Sequence, residues 1–102
     1  MQDFDFYEIH EAFAGQVLTT LAAWEDAEFC KDKLGLDAPL GAIDRSSCNV
    51  KGSSLARRAP VRRDRRTHHR QPRQLLHEKG SGRGLISICA AGGQGVVAIL
   101  EA

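Results

Sequence analysis

The sequence predicts an α/β fold that ends in a β-hairpin. Three observations carry this. Apolar residues recur at helical spacing in the first third of the chain, two apolar runs of strand type lie near its end, and a glycine-rich turn joins those runs.

From about Tyr7 to Trp24, Phe13, Val17 and Leu21 recur every four residues beside Ala14 and Leu18, which makes an apolar stripe along one helix face. Glu25 to Leu34 reads as a second, shorter helix with Ala27, Cys30 and Leu34 inward, stopped by Gly35. Asp37, Pro39 and Gly41 mark a loop. Ser46 to Leu55 is small and polar, with Gly52 and Ser53-Ser54 permitting close backbone approach, and reads as a short strand leading into a functional loop. Gly80 to Gly84 is a flexible approach to Leu85, Ile86, Ile88 and Cys89, a near-continuous apolar strand. Ala90-Ala91-Gly92-Gly93-Gln94-Gly95 then turns the chain, and Val96 to Leu100 forms the returning strand.

Length and charge bound the rest. A chain of 102 residues holds one domain at most, near the size at which burial is only just sufficient. The net charge of +1 conceals a division: residues 57–74 carry eight arginines against Asp64, while the remainder has six basic residues against twelve acids. Cys30, Cys48 and Cys89 cannot all pair within one chain, and their spacing matches no zinc framework, so no metal is expected and a reducing, cytoplasmic setting is. The opening MQDFDFYEIHEAF has acids where a signal peptide has basic residues. No apolar run approaches the roughly 18 residues of a membrane span.

The arginine-rich stretch fits neither period. Its arginines fall on every helix face, Pro60 and Pro72 obstruct a helix through its middle, and left to itself it is expected to lack order. Taken at face value, it is a basic arm for nucleic-acid phosphates or another partner, the runner-up reading for the chain. That reading is weakened by the lack of interleaved aromatic residues for base stacking. His68 and His69 have no spaced ligand set around them.

Three stretches are more specific. "HEAFAGQVL", His10 to Leu18, resembles the Asn/His-Glu-Ala-Phe-Ala motif of thiolases; "GLISICAAGGQGVVAILE", Gly84 to Glu101, resembles their C-terminal Cys-x-Gly hairpin; and "IDRSSCNVKGSSLA", Ile43 to Ala56, is similar to the segment that precedes their Gly-His-Pro motif. The order and spacing are the family's. The resemblance implies the C-terminal portion of the layered thiolase fold and an acyltransferase of the fatty-acid-oxidation branch. Its substrates would be acyl-CoA and coenzyme A, it would need no further cofactor, and it would act as a homo-oligomer in its full-length form.

Residue by residue, the resemblance makes Cys89 the acid/base that exchanges a proton with the acetyl-CoA carbanion, a task suited to a thiol whose pKa local dipoles can lower. The backbone N–H of Ala91, where the family usually has Gly, would donate to the thioester oxyanion. His10 stands where many thiolases have an Asn that holds a water in the oxyanion site. Ser53 and Ser54 would line the acyl-CoA channel, Asn49 is structural, and Lys51 replaces a common Asn. The nucleophilic cysteine belongs to a part of the family's sequence without a match here, and Ala59 stands where the catalytic His of Gly-His-Pro should be. The chain alone is therefore expected to be inactive; a further alternative is a non-catalytic scaffold that uses the fold only for association.

The genetic code offers an account of that gap. If each codon from Arg57 to Gln74 is read from its second base, with arginines written CGN, the text can become Val-Gly-His-Pro-Phe-Ala-Ala-Thr-Gly-Ala-Arg-Ile-Ile-Ala-Asn-Leu-Ala. This restores Gly-His-Pro and the start of an amphipathic helix. A pair of compensating frameshifts is the expectation that follows.

Overall fold

The computed structural model describes residues 1–53, 61–90 and 92–102, with residues 61–69 described by their backbone alone. The elements run β1 (Phe6–Ile9), α1 (Ala14–Glu25), α2 (Ala27–Leu34), a 3-10 turn (Arg45–Ser47), α3 (Val61–Lys79), β2 (Arg83–Ala90) and β3 (Gln94–Glu101). The three strands form one sheet in the order β1-β2-β3, with β1 parallel and β3 antiparallel to β2. The α/β class and the terminal hairpin stand as the sequence predicts. Among the described residues, no helix is long and apolar enough to cross a membrane.

The first correction concerns β1. The helix expected from Tyr7 starts only at Ala14, because Phe6–Ile9 is a strand whose Tyr7, Glu8 and Ile9 are all buried. Its apolar residues, Phe6, Tyr7 and Ile9, are too few to set a period of their own and are interrupted by the buried Glu8, so the strand blends into the helix that follows. The stripe on α1 is also narrower than expected. Leu21 is buried and Val17 packs beside the core, whereas Phe13 is 76% and Leu18 is 54% exposed.

Helix α2 follows its local signals closely. Asp26 caps it by accepting from the Phe29 N–H at 2.9 Å, and Gly35 ends it at φ 66°, a left-handed geometry that glycine adopts without a Cβ penalty. There the Leu36 N–H donates back to the Cys30 carbonyl. Cys30 is fully buried, but Ala27 and Leu34 face outward, contrary to expectation. An eight-residue helix has room for only one anchored turn.

The strand expected from Ser46 does not form. Arg45–Ser47 is a 3-10 turn capped by Asp44, and only Cys48 bridges to Tyr7, in parallel sense. The segment 57–74, expected to be irregular, is helical from Val61 onward, and α3 continues to Lys79 with Pro72 inside it. What holds that helix is its C-terminal half, where Leu75 and Leu76 are buried against the sheet. Gly84 brings the two close: a Cβ there would lie 3.6 Å from Pro72 Cβ and 3.7 Å from Leu76 Cδ1.

Two layers of core result. Tyr7, Ile9, Leu21, Ile43 and Leu85 pack on one face of the sheet. Because side chains alternate along a strand, Gly84 and Ile86 face the other way, toward α3. At Ile86, 1% exposed, burial is nearly complete.

Candidate functional site

Parallel pairing puts the carboxyl ends of β1 and β2 at the same edge of the sheet, where open α/β sheets bind ligands. Ile9 lies opposite Ser87, and the His10 N–H donates to the Ser87 carbonyl at 2.8 Å. Two residues farther along β2 comes Cys89, half-buried, its backbone paired with Gly95 across the hairpin. His10 and Cys89, 79 positions apart in sequence, are thus delivered to one end of the sheet by strand register. Ala91 and Ser54, the oxyanion donor and the second channel serine, lie outside the described residues, as do Ala59 and the side chains of His68 and His69.

The remaining partners come from the loop after Cys48. Ser53 is 2% exposed, and its hydroxyl donates to the Ile9 carbonyl at 3.1 Å. Asn49 accepts from the Ile9 N–H through Oδ1 at 2.8 Å, and its Nδ2 donates to the Ile9 carbonyl at 3.1 Å and to Glu11 Oε1 at 2.9 Å. Lys51 reaches instead to the surface, pairing with Glu78 of α3 at 3.1 Å. Gln71 of α3 closes the loop from below by donating to the Gly52 carbonyl at 3.2 Å.

Cys48 and Cys89 contrast. Burial, reinforced by the nearby carboxylates of Glu8 and Glu11, pushes the Cys48 thiol up to about 11. At neutral pH it is a protonated, packed thiol rather than a nucleophile. Cys89 lies on the strand that reaches the site, and Cys48 on the loop that braces it.

The structure brings His10 and Cys89, named from the sequence, to this edge, with Ser53 bonded to the Ile9 carbonyl next to it, while the bond of Asn49 to Glu11 is not among the expectations. Their partnership spans 38 residues, so neither spacing nor periodicity exposes it. The one local hint is that asparagine tolerates a left-handed backbone, and Asn49 has φ 52°.

The arrangement defines an α/β domain whose parallel strand ends present a histidine and a thiol beside a glycine-turned hairpin. The family model described as "Thiolase, C-terminal domain" matches residues 1–102. Curated relatives include the 3-ketoacyl-CoA thiolases of Aeromonas salmonicida (strain A449), 42% identical, and of Shewanella sp. (strain W3-18-1) and Alteromonas mediterranea, each 40% identical. Each match covers 99% of this chain and 23% of the relative, so the chain spans about a quarter of the length of the curated relatives it matches. The chain belongs to the thiolase family and corresponds to its C-terminal domain.

Proposed function

We propose that this chain supplies the proton-transferring half of an acyltransferase that cleaves 3-ketoacyl-CoA with coenzyme A. The observation that carries the reading is the delivery of His10 and Cys89 to one sheet edge, through the His10 N–H bond to the Ser87 carbonyl. In the proposed reaction a cysteine thiolate outside this chain attacks the 3-keto carbon, the bond between C2 and C3 breaks with its electron pair leaving on C2, and the shortened acyl group stays on that cysteine as an acyl-enzyme. The Cys89 thiol gives its proton to the acetyl-CoA carbanion that departs. The resulting Cys89 thiolate takes the proton of the incoming coenzyme A thiol, whose sulfur then attacks the acyl-enzyme and releases the shortened acyl-CoA. His10, with the Ala91 N–H, serves the oxyanions on either side of that step. The setting is a reducing cytoplasm, the process fatty-acid β-oxidation, and the working form a homo-oligomer of the longer protein.

We infer further that residues 57–74 are out-of-frame text. The support is where the fold meets poor residues. Pro72 lies inside α3, where it lacks the helical donor, and Gln71 Oε1 is buried without a hydrogen-bond partner. The shifted text reads leucine and asparagine at those two positions, and histidine at position 59. It also reads helix where α3 runs.

The test is to join the shifted text to the longer reading frame and follow loss of a 3-ketoacyl-CoA. The repaired protein should turn over, and Cys89→Ser should lower its kcat by about 100-fold or more, the usual contribution of a positioned acid/base. The 102-residue chain alone should show no turnover. Turnover by this chain as it stands, or an undiminished Cys89→Ser variant, would refute the reading.

A further inference from the structure

Asn49 belongs to no helix or strand, yet it holds the strand end that carries His10. Its backbone N–H donates to the Tyr7 carbonyl at 2.8 Å. Its side-chain amide then accepts from the Ile9 N–H and donates to the Ile9 carbonyl, at 2.8 and 3.1 Å. One amide satisfying both backbone groups of a residue does what a peptide on a neighbouring strand would do. Asn49 therefore acts as a one-residue strand on the edge of β1 away from β2.

The consequence falls on His10. Along a strand, successive residues point their backbone groups to opposite sides. Ile9 turns toward Asn49, and His10 turns toward β2, where its N–H meets the Ser87 carbonyl. On the far side of His10, the Glu11 carboxylate accepts from the same Asn49 Nδ2 at 2.9 Å. Both chain neighbours of His10 are thus held by one side chain, and Ser53 adds a second donor to the Ile9 carbonyl at 3.1 Å.

This grip is obtained against a backbone preference. Asn49 is the one non-glycine residue with positive φ among the described residues, at 52°. A side chain in that region costs free energy relative to glycine. Were Asn49 merely filling a turn, glycine would serve better. Only the amide explains the choice, because no other side chain of that length offers an acceptor and a donor side by side. Aspartate has the shape but no donor, and would set a carboxylate against the Ile9 carbonyl and the Glu11 carboxylate.

We propose that Asn49 is the positioning residue of His10, fixing where its imidazole is rooted at the carboxyl edge of the sheet. The role serves the acyl transfer proposed above and rests on that reading for its purpose. The test reads His10 itself, so absence of thiolase activity would leave its outcome unaffected.

The experiment follows the His10 ring signals by NMR across pH in the 102-residue chain, together with amide exchange at Ile9, His10 and Ile86, for wild type, Asn49→Gly and Asn49→Asp. In Asn49→Gly, exchange at Ile9 should speed up by about tenfold or more, as expected when a buried amide loses its acceptor. The His10 ring signals should move toward the chemical shifts of an unstructured peptide, while Ile86 stays protected. Asn49→Asp keeps an acceptor for the Ile9 N–H and loses only the donor to the Ile9 carbonyl and Glu11, so the displacement of the His10 ring signals should appear at neutral pH and reverse on acidification, when a protonated aspartate regains an O–H donor. The groups titrating around that position are Glu11 in direct contact and His10, which lies between the two residues that Asn49 holds; Glu8, Glu11 and Arg45 act on the neighbouring Cys48. Adding Glu11→Gln to Asn49→Asp therefore separates reprotonation of residue 49 from that of Glu11: acid rescue should persist in the double variant. If Asn49→Gly unfolds the chain, the aspartate variant decides. His10 signals that match wild type in Asn49→Asp at neutral pH, or an Asn49→Gly protein with unchanged or slower exchange at Ile9, would overturn the proposal.

Discussion

Helix α3 and the β2–β3 hairpin meet across one face of the sheet, yet their sequences suit their surroundings very differently. Among the described residues of the hairpin turn, the positive-φ positions are both glycines, Gly92 and Gly93 at φ 82° and 74°, and eight residue pairs from Arg83–Glu101 to Ala90–Gln94 stay in register. In α3 a proline is buried inside the helix and a glutamine oxygen is buried without a partner. Both elements nonetheless form. The contrast teaches that a helix can be imposed by a few anchors, here Leu75 and Leu76, even where neighbouring residues oppose it. A hairpin depends on its turn.

The comparison can be broken most severely from the side that fits well. Ile86→Ala removes the side chain that the sheet buries against α3 and should cost about 3–4 kcal/mol, read as a fall in the urea midpoint. On the opposing side, Pro72→Ala should stabilise the chain by about 1–2 kcal/mol, the relief of an interior helix proline less the burial lost with two ring carbons. A Pro72→Ala variant that melts earlier than wild type would mean that α3 has adapted to its proline. Gly93→Ala should cost about 1 kcal/mol, because open space surrounds a Cβ there and the left-handed backbone is the whole penalty.

The smallest expected effect lies at the join between the two regions. Asp5 pairs with Lys79 at the end of α3 and accepts from the Arg83 N–H at the start of β2. Lys79 first, and then that N–H, hold the Asp5 carboxyl below the usual carboxylate range. A carboxyl held low in the folded state adds stability above its unfolded pKa and loses it as pH falls through the folded value. Asp5→Asn should therefore lower the melting point slightly near neutral pH and leave it unchanged in strong acid. A difference that persists in acid would point to packing at Gly82, where a Cβ would collide with the Asp5 carboxylate, rather than to charge.

Legibility followed the range of the interactions. Helix α2, with Asp26 and Gly35 at its ends, and the hairpin are written in local signals and could be read from them. β1 could not, since a four-residue strand is too short to display a period and its partner lies far along the chain. The loop after Cys48 was misread as a strand for a related reason: it contributes one bridge and one asparagine side chain in place of a ladder. At the site, His10 and Cys89 were visible through motif resemblance. The side chain that holds His10 was not, because its bonds are made across 38 to 40 residues.

The pairing of β1 with β2 also governs the time course of folding. Asp5 and Arg83, bonded at its beginning, are 78 residues apart. A ribosome adds about 5–20 residues each second. β1 therefore waits several seconds after its own synthesis before a strand exists for it to pair with. During that interval Tyr7 and Ile9 lack the cover that β2 later gives them, and the edge later taken by β2 stays open to other strands. Closing so long a loop is a slow step, and the parallel pair should be among the last features to form.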